Sequence, residues 1–260
     1  MRLSAIMPVV IVLLALSPAG AQSAQGSEQR AIVAEDGVVV TCFGSGVFVF
    51  ADRCVGPARI EYVYPIKEGP IVWKTAKGEI SHDDKDACGF ETRARAVGDT
   101  KAETMPNRAI RILDPHEKAL RERVYSAYTG GGKGEAAVEA AFALDLDGSG
   151  ELVFFVVNDA AKVAEKFEAD QTPAKYSIIG GIYGKDWGTS ANFYYESSMY
   201  QGATDAIGRI DFVGLTRLDP SSNEMALVVD SGNPFSRQRS VVRLAHNLIF
   251  SIITPDLSCM

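Results

Sequence analysis

From residue 136 onward the chain repeats one pattern: a short run of β-branched and aromatic residues, then a polar turn, at intervals of about ten residues. The runs fall at 138–144, 152–157, 176–183, 192–200, 207–215, 225–229, 241–245 and 248–253. Gly180-Gly181, Asp186-Trp187-Gly188 and Ser231-Gly232-Asn233-Pro234 read as turns. Runs so closely spaced leave no room for a crossover helix after each strand, so neighbours must pair antiparallel. Closing a barrel or stacking a sandwich then covers the exposed strand edges. Residues 160–167 fit either a short helix or an edge strand.

The N-terminal part carries β signals at 38–40 and 47–50, around Phe43-Gly44-Ser45-Gly46, and at 60–64, which ends at Pro65. Residues 71–73 form another short run. Residues 77–106 are polar and charged (Ser81-His82-Asp83-Asp84-Lys85-Asp86) and read as a long surface loop held by Cys88. One segment is helical by pattern. Asp114 caps, Pro115 takes the first turn, and Glu117 stands three residues after the cap. Leu120, Val124 and Ala127 then form one apolar stripe, and Thr129-Gly130-Gly131-Gly132 ends it.

The expected fold is therefore mainly β: an antiparallel barrel or sandwich, or partial propeller-like sheets, with one short helix after a cleaved signal peptide. Residues 1–21 carry that peptide: Arg2, an apolar run of about eleven residues at 6–16, and Ala19-Gly20-Ala21 before Gln22. The run is too short for a bilayer core of about 30 Å, so no membrane span is expected after cleavage. Residues 22–113 form an N-terminal β region with disulfides, 114–134 a helix and glycine-rich linker, and 135–260 a C-terminal β domain.

Apolar residues make up 47% of the chain, enough for a substantial core. The net charge of −7 argues against nucleic acid, whose phosphates need a basic face. Loss of Arg2 leaves the exported chain at −8. Four cysteines, Cys42, Cys54, Cys88 and Cys259, allow up to two disulfides outside the cytoplasm, in three pairings. A straight hairpin through Gly44-Ser45-Gly46 would set Cys42 near Val47, which favours Cys54 with Cys88 and Cys42 with Cys259.

Asp145-Leu146-Asp147-Gly148-Ser149-Gly150 is the most informative stretch. Oxygen side chains alternate at 145, 147 and 149, and a loop turned by the glycines converges them on a hard cation, with Glu151 adjacent. Residues 217–229 repeat the strand–loop–strand pattern, with Asp219, Ser221 and Asn223 in a degenerate loop. The acidic stretch resembles the FG-GAP or VCBS-type repeat, whose signature is D-x-D-G-D-G between two strands. The resemblance covers about residues 138–158, with the degenerate copy near 212–230. It implies a calcium-binding loop in a secreted or surface β protein, with Asp145, Asp147, Ser149 and Glu151 as metal ligands. Ser149 stands where the family has a third aspartate, and Val156 stands where an EF-hand has its bidentate Glu. Calcium affinity should therefore be weak, in the range of about 10⁻⁴ to 10⁻³ M.

Enzymatic readings rest on the same acids. Phe142-Ala143-Leu144-Asp145-Leu146-Asp147 resembles the haloacid-dehalogenase phosphatase motif, which implies Asp145 as nucleophile and Asp147 as general acid on a parallel α/β sheet. Val228-Val229-Asp230-Ser231-Gly232 resembles an aspartic-protease loop, though a β-turn is its ordinary reading. Gly130-Gly131-Gly132-Lys133-Gly134 lacks the spacing of a phosphate loop and reads as a linker. His82, His116 and His246 are scattered and assemble no triad. Tyr176, Tyr183, Trp187, Phe193, Tyr194, Tyr195 and Tyr200 cluster in sequence and read as a sugar- or protein-binding platform or as core anchors. The functional expectation is a secreted or periplasmic non-catalytic binding or scaffold protein with a protein or glycan partner. The alternative is a periplasmic hydrolase using Asp145 and Asp147, or Asp230.

Overall fold

The computed structural model describes residues 29–44, 47–49, 51–85, 89–145, 150–161, 175–183, 190–196, 209–218, 224–233, 236–245 and 248–253. The chain is mainly β, as the spacing of its apolar runs predicts. The strands before the helix are β1 (Gln29–Val33), β2 (Val39–Gly44), β3 (Val47–Val49), β4 (Gly56–Tyr62), β5 (Gly69–Lys85), β6 (Gly89–Ala96) and β7 (Lys101–Leu113). The helix among the described residues is α1 (Lys118–Thr129). After it come β8 (Val138–Asp145), β9 (Glu151–Ala161), β10 (Lys175–Tyr183), β11 (Ser190–Glu196), β12 (Arg209–Arg217), β13 (Met225–Asn233), β14 (Ser236–Ala245) and β15 (Leu248–Ile253). Eleven strands form one curled sheet in the order β11-β10-β9-β8-β7-β5-β4-β1-β2-β3, with β6 also on β5. The last four form a second sheet, β12-β13-β14-β15.

β5 explains the curl. Its first half pairs with β7, and its second half pairs with β6. β6 then reaches the turn between β1 and β2, where the Ala94 N–H donates to the Gly37 carbonyl at 3.0 Å. β1, β2, β4, the far half of β5 and β6 thus close a small ring of strands. Its interior holds Ala31, Val33, Cys42, Ala58, Ile60 and Ala76. Gly78 faces this interior, where a Cβ would collide with the Ile60 side chain and the Arg95 carbonyl.

The segment 77–106 is therefore not a surface loop. It is the far half of β5, all of β6 and the start of β7. Its period-two pattern is present but muted, because the inward positions carry Ala76, Gly78, Ile80, Ala94 and Ala96 while the outward ones carry charge. A ring this tight admits small side chains, and small side chains give little β signal.

The disulfide also corrects the expected pairing. Cys42 bonds Cys54, with Cα atoms 6.1 Å apart and both side chains fully buried. The hairpin turns after Gly44, so Cys42 stands opposite Val49 rather than near Val47. A 3₁₀ turn at Ala51–Arg53 then folds the chain back, with the Cys54 N–H on the Ala51 carbonyl at 3.0 Å. That reversal is what brings Cys54 under Cys42. Cys88 and Cys259 lie outside the described residues.

The larger half of the core lies between the sheets. Ile71, Trp73, Phe142, Leu144, Phe154 and Val156 of the first sheet meet Leu215, Leu227, Val229 and Val242 of the second. Phe142 stacks on Phe154 at 4.9 Å between centroids. The other face of β13, with Ala226 and Val228, packs on Ile32 and Val40 of the ring. β13 is thus buried on both faces and reads as a continuous apolar run. The two sheets meet at a backbone bridge between Tyr64 and Leu215, with N–H···O distances of 2.7 and 2.8 Å. Gly214 permits it, since a Cβ there would run into the Tyr64 backbone.

Helix α1 seals the outer face of β8 and β9 through Leu120 and Val124, which touch the layer of Val153 and Phe155. It starts three residues later than the capping pattern predicts. Asp114 instead closes a preceding turn, its Oδ1 accepting the His116 N–H at 2.9 Å and its carbonyl the Glu117 N–H at 3.1 Å. Gly130, at φ +68°, ends the helix in the left-handed conformation. β7 and β8, on either side of the helix, pair directly in one sheet. The expected turn at Gly180-Gly181 is instead the middle of β10, and 231–233 continue β13. Residues 160 and 161 extend β9; the rest of 160–167 lies outside the described residues.

Candidate functional site

The acidic stretch joins two antiparallel strands. β8 and β9 pair in register down to Asp145 opposite Glu151. Asp147 and Ser149 lie outside the described residues. Glu151 is already engaged: Arg111 of β7 reaches across β8 and binds both of its oxygens, at 3.2 and 2.5 Å. The hydrogen bonds that Arg111 donates to Glu151 raise its pKa above the usual value, against the lowering effect of partial burial. Among the described residues, no group of three His, Cys, Asp or Glu side chains converges closely enough to hold a metal ion.

Asp230 sits within a strand rather than on a loop tip. It pairs in register with Asp211 on one side and Arg239 on the other. Its Oδ1 accepts the Arg239 Nε–H at 2.9 Å. The same guanidinium grips both oxygens of Asp36, in the turn between β1 and β2, at 3.0 and 2.7 Å. This bidentate bond leads in holding the Asp36 carboxyl below its ordinary range, over the opposing effect of burial. A cleft of about 190 Å³ opens here, lined by Asp36, Arg239, Val63, Pro65 and Val213. It is smaller than the roughly 300–1,000 Å³ of an ordinary ligand site.

The most deeply buried charge among the described residues belongs to no sequence motif. Glu61 has no exposed surface and stands between two arginines. Arg217 Nε–H donates to its Oε1 at 2.8 Å, and Arg30 donates to its Oε2 at 3.3 Å. Arg217 also binds Glu103 at 3.0 Å and lies 5.5 Å from the centre of the Trp73 ring. Arg30 stacks on Phe43 at 3.9 Å and donates to the Leu218 carbonyl. Burial alone would lower the Arg217 pKa; its bonds to Glu61 and Glu103 outweigh that and hold it raised. The network ties β1 and β4 of the first sheet to β12 of the second. One signal was available: Glu61 interrupts the apolar run 60–64, and an acid inside a buried strand demands a cationic partner.

His82 Nδ1 lies 3.0 Å from Thr92 Oγ1 across β5 and β6, and His116 is exposed. His246, Trp187, Tyr200, Asp219, Ser221 and Asn223 lie outside the described residues. β10 and β11 bring Tyr194 opposite Ile179 and Phe193 opposite Gly180. Among the described residues no helix is long and apolar enough to cross a membrane. No family model, curated protein or solved structure matches the chain.

Proposed function

We propose that this is an exported, non-catalytic binding or scaffold protein, acting outside the cytoplasm on a protein or glycan partner. One observation carries the reading: among the described residues, Asp230, the carboxylate of the aspartic-protease reading, and the strand carboxylates Glu61 and Glu151 are held by guanidinium groups that join the strands. Glu61 lies between Arg30 and Arg217, Asp230 on Arg239, and Glu151 on Arg111. A carboxylate locked in such bonds is a poor nucleophile or proton carrier. Asp145 ends a strand antiparallel to both neighbours, whereas the phosphatase reading calls for a parallel α/β sheet. The buried disulfide supports an oxidising compartment.

The finer part of the proposal is a weak calcium site at the acidic hairpin, with Asp145, Asp147, Ser149 and Glu151 as donors. The support is the register that sets Asp145 opposite Glu151, and Arg111 competes for the second of these. Millimolar calcium should raise the melting temperature, Asp145→Asn should abolish the rise, and Arg111→Gln should enlarge it by freeing Glu151. Calorimetry without any calcium effect would remove the ion site and leave the binding reading intact. A panel of phosphomonoester and peptide substrates tests that reading. No turnover above buffer is expected, and turnover lost on Asp145→Asn or Asp230→Asn would establish the hydrolase instead.

A further inference from the structure

The outer face of the N-terminal ring carries charges that the fold leaves unpaired. β4 sets Arg59 directly opposite Lys77 of β5; Arg30 of β1, beside Arg59, is by contrast spent on Glu61. On the same face Arg95 of β6 stands opposite Glu79, and Lys101 of β7 opposite Thr75. Arg59, Lys77, Arg95 and Lys101 are all exposed, and among the described residues none of the four forms an ion pair. Like charges directly opposed across a sheet are destabilising. The fold gains nothing from Arg59 against Lys77, and the chain as a whole carries the opposite sign, at −7.

We infer that this face docks a linear anionic polysaccharide, gripped at its carboxylate or sulfate groups by Arg59, Lys77, Arg95 and Lys101. The inference rests on the binding reading above and names its surface and partner class. Neighbouring strands lie about 4.8 Å apart, and alternate residues on one strand about 7 Å apart. Cations on that grid meet successive charged groups along an extended chain. Glu79 lies two residues from Lys77, and Glu103 two from Lys101, both exposed and both on the same face. They keep the cationic band narrow. A membrane presents a plane of anions and would be repelled at Glu79, the carboxylate of this face that no arginine among the described residues holds; Glu103 is bonded to Arg217. A protein partner calls for aromatic or aliphatic anchors in a desolvated centre, and no aromatic side chain of the described residues is exposed here; the exposed apolar neighbour is Val97.

The test uses the purified protein and polygalacturonate as the linear polyanion, by calorimetric titration at low and rising salt. Dextran is the uncharged control; polyglutamate, phosphatidylglycerol vesicles and single-stranded DNA are the competing classes. Polygalacturonate should bind best, with affinity falling as salt rises. Arg59→Glu with Lys77→Gln should weaken binding by about tenfold or more, while Lys118→Glu on the helix leaves it unchanged. The double variant should melt no lower than the parent, because it removes a repulsion. No binding at low salt, equal binding by the double variant, or tighter binding to any competing class overturns the surface. New reducing ends on the polysaccharide would instead overturn the non-catalytic reading, so the two failures are distinguishable.

Discussion

Two residues on one strand separate the two uses of charge in this molecule. Arg59 and Glu61 lie on the same face of β4, two positions apart. Glu61 is buried at the seam between the sheets and bonded to two guanidinium groups. Arg59 is exposed on the N-terminal ring and opposed by another cation. At the seam, low dielectric makes an unpaired charge prohibitive, so every partner must be supplied. On the outer face water screens the repulsion, and an unpaired cation survives at small cost. Charge thus holds the layers together in one region and stays available to a ligand in the other.

The largest effect should come from Glu61→Gln. It strands Arg30 and Arg217 without their shared carboxylate and should cost about 3–5 kcal/mol in urea denaturation. A loss below about 1 kcal/mol would mean that the seam does not depend on this network. Next is the ring itself, whose alanine-lined interior offers little apolar area. Replacing Cys42 and Cys54 together by alanine should cost about 2–4 kcal/mol, read as a fall in the urea midpoint.

Asp36 gives a smaller, pH-dependent effect. Its carboxyl is held below the ordinary range chiefly by the bond from Arg239. A depressed carboxylate stabilises the fold above its unfolded pKa of about 3.9, and the contribution is lost as pH falls through the lower folded value. The group is half exposed, so Asp36→Asn should cost less than about 1 kcal/mol at neutral pH. The gap between parent and variant should close below about pH 4 in a series of urea midpoints. A gap that widens there would reverse the assignment.

The fold was legible where strands bury large side chains. Over their described residues, the eight apolar runs after residue 136 fall on strands, because Phe154, Val156, Leu227 and Val229 fill a thick space between sheets and so stand out in the sequence. The ring was not legible for the converse reason. Ala58, Ala76 and Gly78 face its interior, and their small size hides the alternation that the charged outer face would otherwise complete. The disulfide is not legible in the sequence because its partners meet through a 3₁₀ reversal, which spacing along a hairpin does not reveal. At the acidic stretch, the hairpin was legible from its glycines. The grip of Arg111 on Glu151 depends on strand order, with β7 beside β8, and strand order is not written locally.

The contrast along β4 is tested most directly by measuring equilibrium urea denaturation of Arg59→Glu and Glu61→Gln side by side. The expected result is opposite signs. Arg59→Glu should gain about 0.2–1 kcal/mol by facing Lys77 with a carboxylate, while Glu61→Gln loses several. Destabilisation by Arg59→Glu comparable to that of Glu61→Gln would contradict the division, because it would make the outer cations part of what holds the fold together.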